Sequence, residues 1–267
     1  MSAQPEFVRC EQHEGFAIVT LARPPQNRLV RPLYQQLDDA VRNAVRQGAR
    51  CVLFRGDGPD FCLGGDFREW PQLGTHAARH ERFGYSNGVL NMIESLSVPT
   101  IAQVQGRAFG GGFELALHAD IIIAADTAKF RFTEATLGVA PLAGGVQRVA
   151  ERAGRAVAAN LVMLSREVGA AEAQRLGLVA EVVPEHRVAE VAEAHARTLA
   201  TGPTRAHAVT KAILAAWSAG GVRAADEAMI EHVSVLLATD DVQRGVASAI
   251  PALEAGTARP DMQFSGA

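Results

Sequence analysis

The stretch from Gly106 to Asp120 reads GRAFGGGFELALHAD. An apolar run, PTIAQVQG, leads into it; three glycines in a row, 110 to 112, interrupt; an apolar, helix-like segment follows with a single carboxylate, Glu114, in its first turn. A tight turn accounts for glycine, which adopts backbone conformations that a Cβ forbids. It does not account for a charge, which is costly to bury, placed two residues later. Glycine also lets a ligand approach the backbone closely, and the first N–H groups of a helix have no intrahelical acceptor. The junction is therefore a candidate anion or oxyanion site.

Outward from it, a second glycine junction, CLGGD (Cys62 to Asp66), has the same character. Two N–H donors that converge on one carbonyl oxygen form an oxyanion hole, in which each donor is worth on the order of 2.7 to 4 kcal/mol. A second carboxylate, Glu134, lies in KFRFTEATLGVAPLAGGVQRV, at the start of a predicted helix after an extended run, with Thr133 as a candidate cap. The helix dipole favours ionised Glu114 in its first turn. Either glutamate alone reads equally as a capping or surface residue. Two carboxyls beside one oxyanion hole suit proton transfer, because crowding or burial raises the pKa of at least one of them.

The flanking pattern predicts an α/β core. FVRCEQHEGFAIVTLA alternates and breaks at His13-Glu14-Gly15, as a hairpin does. From Pro32 to Gly48 the residues Leu33, Leu37, Val41, Ala44 and Val45 recur at helical spacing. RCVLFRG, PTIAQVQG and DIIIAAD read as buried strands that alternate with helical stretches. Beyond about Thr133 the chain turns helical, with one strand at LVAEVV, and Pro251 is expected to kink or end the last helix.

Composition excludes several classes. At 267 residues and 48% hydrophobic, the chain buries enough surface to fold without disulfides or metals. Cys10, Cys51 and Cys62 form no CxxC pair, so neither a zinc ribbon nor a disulfide framework is expected, and a reducing cytoplasm fits. The N-terminal stretch lacks the basic start and apolar run of a signal peptide, and no apolar run reaches a membrane span of about 18 residues. The formal charge of −3 offers no general field for nucleic acid. All but two of the basic residues are arginine, which reflects codon bias or the arginine fork's fit to phosphate. Neither glycine junction completes GxGxxG or GK[ST]. GYSNG (Gly84 to Gly88) matches a nucleophile-elbow pattern, but the charged THAARHERF stands where that motif needs a buried strand, which disfavours Ser86 as a nucleophile. His76 and His80 are four apart without the Glu of a zinc helix and read as an exposed helix face.

Taken in order, RPPQNRL, DFCLGGDFREW, PTIAQVQGRAFGGGFELALHADIIIA and APLAGGVQRV, with a twenty-residue step from one glutamate to the other, make the chain resemble the enoyl-CoA hydratase/isomerase, or crotonase, superfamily over nearly its whole length. The resemblance implies a ββα spiral core of two nearly perpendicular sheets over residues 1–200 and a helical trimerisation region over 201–267, with assembly as homotrimers or hexamers. It puts the oxyanion donors on Gly65 and Gly111 and the acid–base pair on Glu114 and Glu134. Substrate and CoA contacts are carried over to Gln26, Arg28, Cys62, Leu63, Asp66, Phe67, Arg68 and Leu142. It implies an acyl-CoA substrate, no metal and no separate cofactor, since CoA arrives as part of the thioester. The implied activity is addition of water to a trans-2-enoyl-CoA; double-bond isomerisation, other crotonase-type lyase or decarboxylase chemistry, and silent binding of acyl-CoA or RNA are the alternatives.

The chain departs from the family pattern in three respects. Leu142 stands where a glycine whose N–H helps to hold the water is common, which bears on hydration itself. Gly65 replaces the usual alanine and keeps the donor. Ala249 and Ala252 stand where an aromatic and a lysine often reach a neighbouring subunit's CoA, leaving Arg259 as the substitute.

Overall fold

The computed structural model describes residues 5–266; the ends of the N-terminal stretch and of the 201–267 region, residues 1–4 and 267, lie outside it. The predicted hairpin forms from β1 (Val8–Gln12) and β2 (Ala17–Leu21), which pair antiparallel. There follow α1 (Arg31–Arg46), β3 (Val52–Gly56), α2 (His76–Glu94), β4 (Thr100–Val104), β5 (Arg107–Phe109), α3 (Gly111–Leu117), β6 (Ile121–Ala125) and β7 (Lys129–Arg131). The remainder is α4 (Gly145–Ala153), α5 (Arg155–Met163), β8 (Val168–Gly169), α6 (Ala170–Arg175), β9 (Glu181–Val183), α7 (Val188–Thr201), α8 (Thr204–Leu236) and α9 (Asp240–Ala255).

The first sheet runs β1-β2-β3-β4-β6-β9 and is parallel from β2 onward. Its strands β2 and β4 are buried at every position and are accordingly mostly apolar, with Thr20, Thr100 and Gln103 the polar exceptions. α1 packs beside β1 and β2, and α7 lies across β3, β4 and β6. The second sheet, β5-β7-β8, consists of strands of three residues or fewer. Isolated parallel bridges, Leu29 to Gly65 and Cys62 to Ala108, extend that layer into the earlier turns of the chain.

These bridges expose the spiral. Each turn contributes a strand to the first sheet, a short extended piece to the second layer and then a helix: β2, Leu29 and α1; β3, Cys62 to Gly65 and α2; β4, β5 and α3; β6, β7 and α4. Because successive turns stack in parallel, residues just past the second layer in one turn lie beside those of the next. Ile101 pairs with Ile121 and Phe109 with Arg131, so the interval from Glu114 to Glu134 is close to one turn of the spiral.

Two local expectations are corrected. Thr133 makes no side-chain cap; it has helical backbone angles, and its carbonyl accepts from the Thr136 amide and hydroxyl. Pro251 does not end its helix, for α9 continues to Ala255 and closes on Gly256 at φ 64°. A proline forfeits one N–H bond, here to the Ala247 carbonyl, while its fixed φ remains helical. α8 is interrupted at Gly221, whose φ of 72° and ψ of −165° break the helical path. All three cysteines are free thiols. Among the described residues no helix is long and apolar enough to cross a membrane, and no three His, Cys, Asp or Glu side chains gather in a metal-binding group.

Candidate active site

The spiral brings the two glycine junctions together. A Cβ added to Gly64 would lie 2.8 Å from the Phe109 carbonyl and 2.9 Å from the Gly111 nitrogen, so only glycine admits this approach. A Cβ on Gly111 would lie 3.6 Å from the Gly65 nitrogen. Since a Cβ is about 2.5 Å from its own nitrogen, the Gly65 and Gly111 nitrogens are at most about 6 Å apart, the span of two N–H···O bonds that meet at one oxygen. Neither N–H donates to a backbone carbonyl among the described residues. Gly111 is the first residue of α3, where N–H groups lack helical acceptors.

Glu114, in the first turn of α3, is 1% exposed. Its Oε1 accepts from the amides of Ala143 at 2.8 Å and Gly145 at 2.9 Å. Burial raises its pKa; the amides of Gly145, Ala143 and Leu142 and the Arg148 charge act the other way without overcoming burial. The glycines of PLAGGVQR make this contact possible: a Cβ on Gly145 would collide with the Phe132 ring and come 2.9 Å from Cγ of Glu114. Phe113, Phe130 and Phe132 pack beneath, with ring centroids 4.9 to 5.1 Å apart, and keep the floor dry and rigid.

Glu134 opens the short 3-10 turn Glu134–Leu137 after β7. It is 7% exposed, and its Oε1 stands 2.6 Å from where a Gly110 Cβ would sit, so it faces the triple-glycine turn. Its Oε2 is buried without a protein donor. Burial, and then the Glu114 charge, push its pKa up to about 7. The two carboxylates are thus electrostatic neighbours in different settings, Glu114 gripped by two amides of the 142–145 loop and Glu134 left with one buried oxygen unpaired among the described residues. That arrangement allows one to hold a proton while the other accepts one at neutral pH.

The other carried-over residues divide. Gln26, Arg28, Leu63 and Phe67 gather: Arg28 Nε donates to Gln26 Oε1 at 2.7 Å, the Leu63 amide donates to the Gln26 carbonyl at 2.9 Å, and the Arg28 guanidinium lies 5.4 Å from the Phe67 ring centroid. Phe67 is 47% exposed, so this forms an aromatic and cationic ledge open to solvent. Asp66 is buried and committed to Arg68 at 2.6 Å and Arg23 at 2.9 Å; the Arg68 bond chiefly depresses its pKa, and Arg68 itself reaches into solvent. The Cys62 thiol is fully buried, donates to the Asn27 carbonyl at 3.0 Å and has its pKa pushed up to about 12 by burial. Leu142 is half-buried, and its carbonyl accepts from Asn87 Nδ2. Ser86 lies inside α2 and bonds Arg82, so no nucleophile elbow exists there.

Sequence reading missed four contributors. Asn27 is fully buried at φ 47°, and its Nδ2 lies within donating distance of the carbonyls of Asp57, Asp60 and Phe61, which fixes the loop that carries Gly65. Trp70 lies 3.9 Å from where a Gly65 Cβ would be and meets Phe67 and Phe83 edge-on, a wall beside the first amide. Tyr34 is buried in α1, where burial and then the Glu114 charge raise its pKa. Arg148 is buried in α4. Only Asn27 carried a signal, in a Pro-rich turn where a positive φ favours Asn.

The comparisons agree with this geometry. The family described as Enoyl-CoA hydratase/isomerase matches residues 11–250. A "Probable enoyl-CoA hydratase" of Rhodobacter capsulatus is 36% identical over 205 residues, 76% of this chain and 79% of the relative. The 1,2-epoxyphenylacetyl-CoA isomerase of Escherichia coli is 34% identical over 209 residues, 74% of this chain and 78% of the relative. The crystal structure of an enoyl-CoA hydratase subunit I from Geobacillus kaustophilus superposes with a TM-score of 0.88 at 28% identity and covers 98% of this chain and 99% of its own. The stacked turns, the paired glycine junctions and these matches lead to one assignment: the chain belongs to the enoyl-CoA hydratase/isomerase family.

Proposed function

We propose that the protein is an enoyl-CoA hydratase that adds water across the double bond of a trans-2-enoyl-CoA to give a 3-hydroxyacyl-CoA. The thioester oxygen accepts from the Gly65 and Gly111 amides, which stabilise the enolate-like charge as it develops and leave the conjugated C3 electrophilic. Ionised Glu114, held by loop amides, orients water and takes its proton as oxygen bonds to C3. Glu134, with its pKa near 7, delivers the proton to C2. Each step is a proton transfer or an electrostatic stabilisation, so the reading calls on no group beyond the CoA of the substrate. The ledge of Gln26, Arg28 and Phe67 receives the adenine end, and Leu63, Asp66 and Arg68 border the way in.

The observation that carries this reading is a pair of buried carboxylates in unlike surroundings beside two neighbouring free amides. Leu142 and the likeness to an isomerase of E. coli favour a second reading, in which a carboxylate takes a proton from the acyl chain, the two amides hold the resulting dienolate, and the proton returns at a different carbon without water. Turnover of crotonyl-CoA and longer enoyl-CoAs in heavy-oxygen water separates the two. Label at C3 is expected; a shifted double bond without label would replace hydration with isomerisation. The catalytic unit is proposed to be a homotrimer or a dimer of trimers assembled through the C-terminal helices.

A further inference from the structure

The loop 142–145 that binds Glu114 is itself held from one side. Asn87 Nδ2 donates to the Leu142 carbonyl and, at 3.1 Å, to the Phe83 carbonyl. Arg148 Nη1 donates to the Gly144 carbonyl at 3.1 Å. The same guanidinium is anchored on Asn91 Oδ1 at 3.1 Å and on both carboxylate oxygens of Glu94. Asn87, Asn91 and Glu94 are spaced along α2 so that they share one face of the helix. The Asn87 tether thus starts from α2, and the Arg148 tether, which starts from α4, is anchored on the same α2 face.

We propose that this face of α2 is a positioning rail for the reaction: Asn87 directly, and Asn91 and Glu94 through Arg148, fix the loop whose amides grip the Glu114 carboxylate. None of the three is assigned contact with substrate; they act through Glu114. The inference rests on the hydratase reading for its kinetic consequence, but its structural content concerns Glu114 alone. Charged and titratable groups face Glu114 from each packed element: Tyr34 from α1, Arg148 from α4, Glu134 from the turn after β7, and His118 of its own helix, whose Nδ1 lies 2.7 Å from the Glu114 carbonyl. Asn87→Ala removes a tether, whereas Glu94→Gln keeps a side-chain oxygen for Arg148 and removes only the charge, so the two have opposite effects. Without Asn87 the loop amides drift from the carboxylate and its protonated form gains. Without the Glu94 charge, Arg148 is left less neutralised and the ionised form gains.

The test titrates the full chain with isotope-labelled glutamate, the Glu114 resonance being assigned by its loss in Glu114→Gln. Asn87→Ala is expected to raise the Glu114 midpoint by about one unit and Glu94→Gln to lower it. In crotonyl-CoA hydration, Asn87→Ala is expected to lower kcat on the order of tenfold or more with KM little changed, since it misplaces a group and removes no binding contact. Midpoints that stay put, or that move the same way in both variants, overturn the proposal. Should Asn87→Ala fail to fold, Glu94→Gln decides alone: a midpoint that rises or stays overturns it. If the wild type hydrates no enoyl-CoA, the hydratase reading falls while the titration still decides the rail.

Discussion

Two glutamates of identical chemistry are made unlike by their neighbours. Glu114 Oε1 receives two loop amides, whereas Glu134 keeps one oxygen, Oε2, without a donor among the described residues, while both are buried. Glu134→Gln should lower hydration by about 10² to 10⁴ and leave thioester affinity nearly intact, as read from kcat and from binding of a non-reactive acyl-CoA. The wild-type rate should fall as pH rises through about 7, where Glu134 loses the proton it must deliver, and the variant should lack that limb. Stability follows the same proton. The folded state holds it more tightly than the unfolded chain, so Glu134 costs stability progressively from about pH 4.5 to 7. Melting curves should therefore show Glu134→Gln more stable than wild type at pH 8, with the difference vanishing near pH 4. The glutamates and glycines were legible because charge beside a glycine junction is unusual. Asn87, Arg148 and Tyr34 were not, because a polar residue on a helix gives no sign of which loop it will meet.

At the scale of elements, the site depends on how closely successive turns stack. Gly112 shows the tolerance: a Cβ there would fall inside the Cys62 carbonyl, a backbone atom that cannot rotate away. Gly112→Ala should destabilise by on the order of 3 kcal/mol or more and drop the thermal midpoint, whereas Gly169→Ala, where a Cβ meets nothing, should not. The hairpin, α1, β3, β4 and β6 were legible because each spans enough residues to show its period. The second sheet was not: β5, β7 and β8 are too short for a pattern, and they exist because stacking pairs them. The cap expected from Thr133 failed for a related reason, since β7 and its turn place that residue in helical angles before a cap can form.

Over the whole molecule, the spiral encloses its own core while the C-terminal helices leave apolar side chains outside. Leu214, Val222, Ile230, Val235, Ile250 and Leu253 are between 49% and 82% exposed in the single chain. Large apolar side chains left this exposed along the C-terminal helices suit association with another chain. Light scattering should report a trimer or hexamer, and Ile230→Glu should shift it toward monomer; a wild-type monomer at micromolar concentration would contradict the assembly. The helical tail was legible as helices, but a role in assembly was expected only through the family resemblance, because sequence alone does not say which chain covers its apolar residues.

The most direct measurement is a crystal structure with a bound, slowly reacting acyl-CoA. The thioester oxygen should lie about 2.7 to 3.1 Å from both the Gly65 and Gly111 nitrogens, with Glu114 and Glu134 facing the two adjacent carbons. An oxygen held by only one of these amides, or carboxylates turned to separate spaces, would contradict the account.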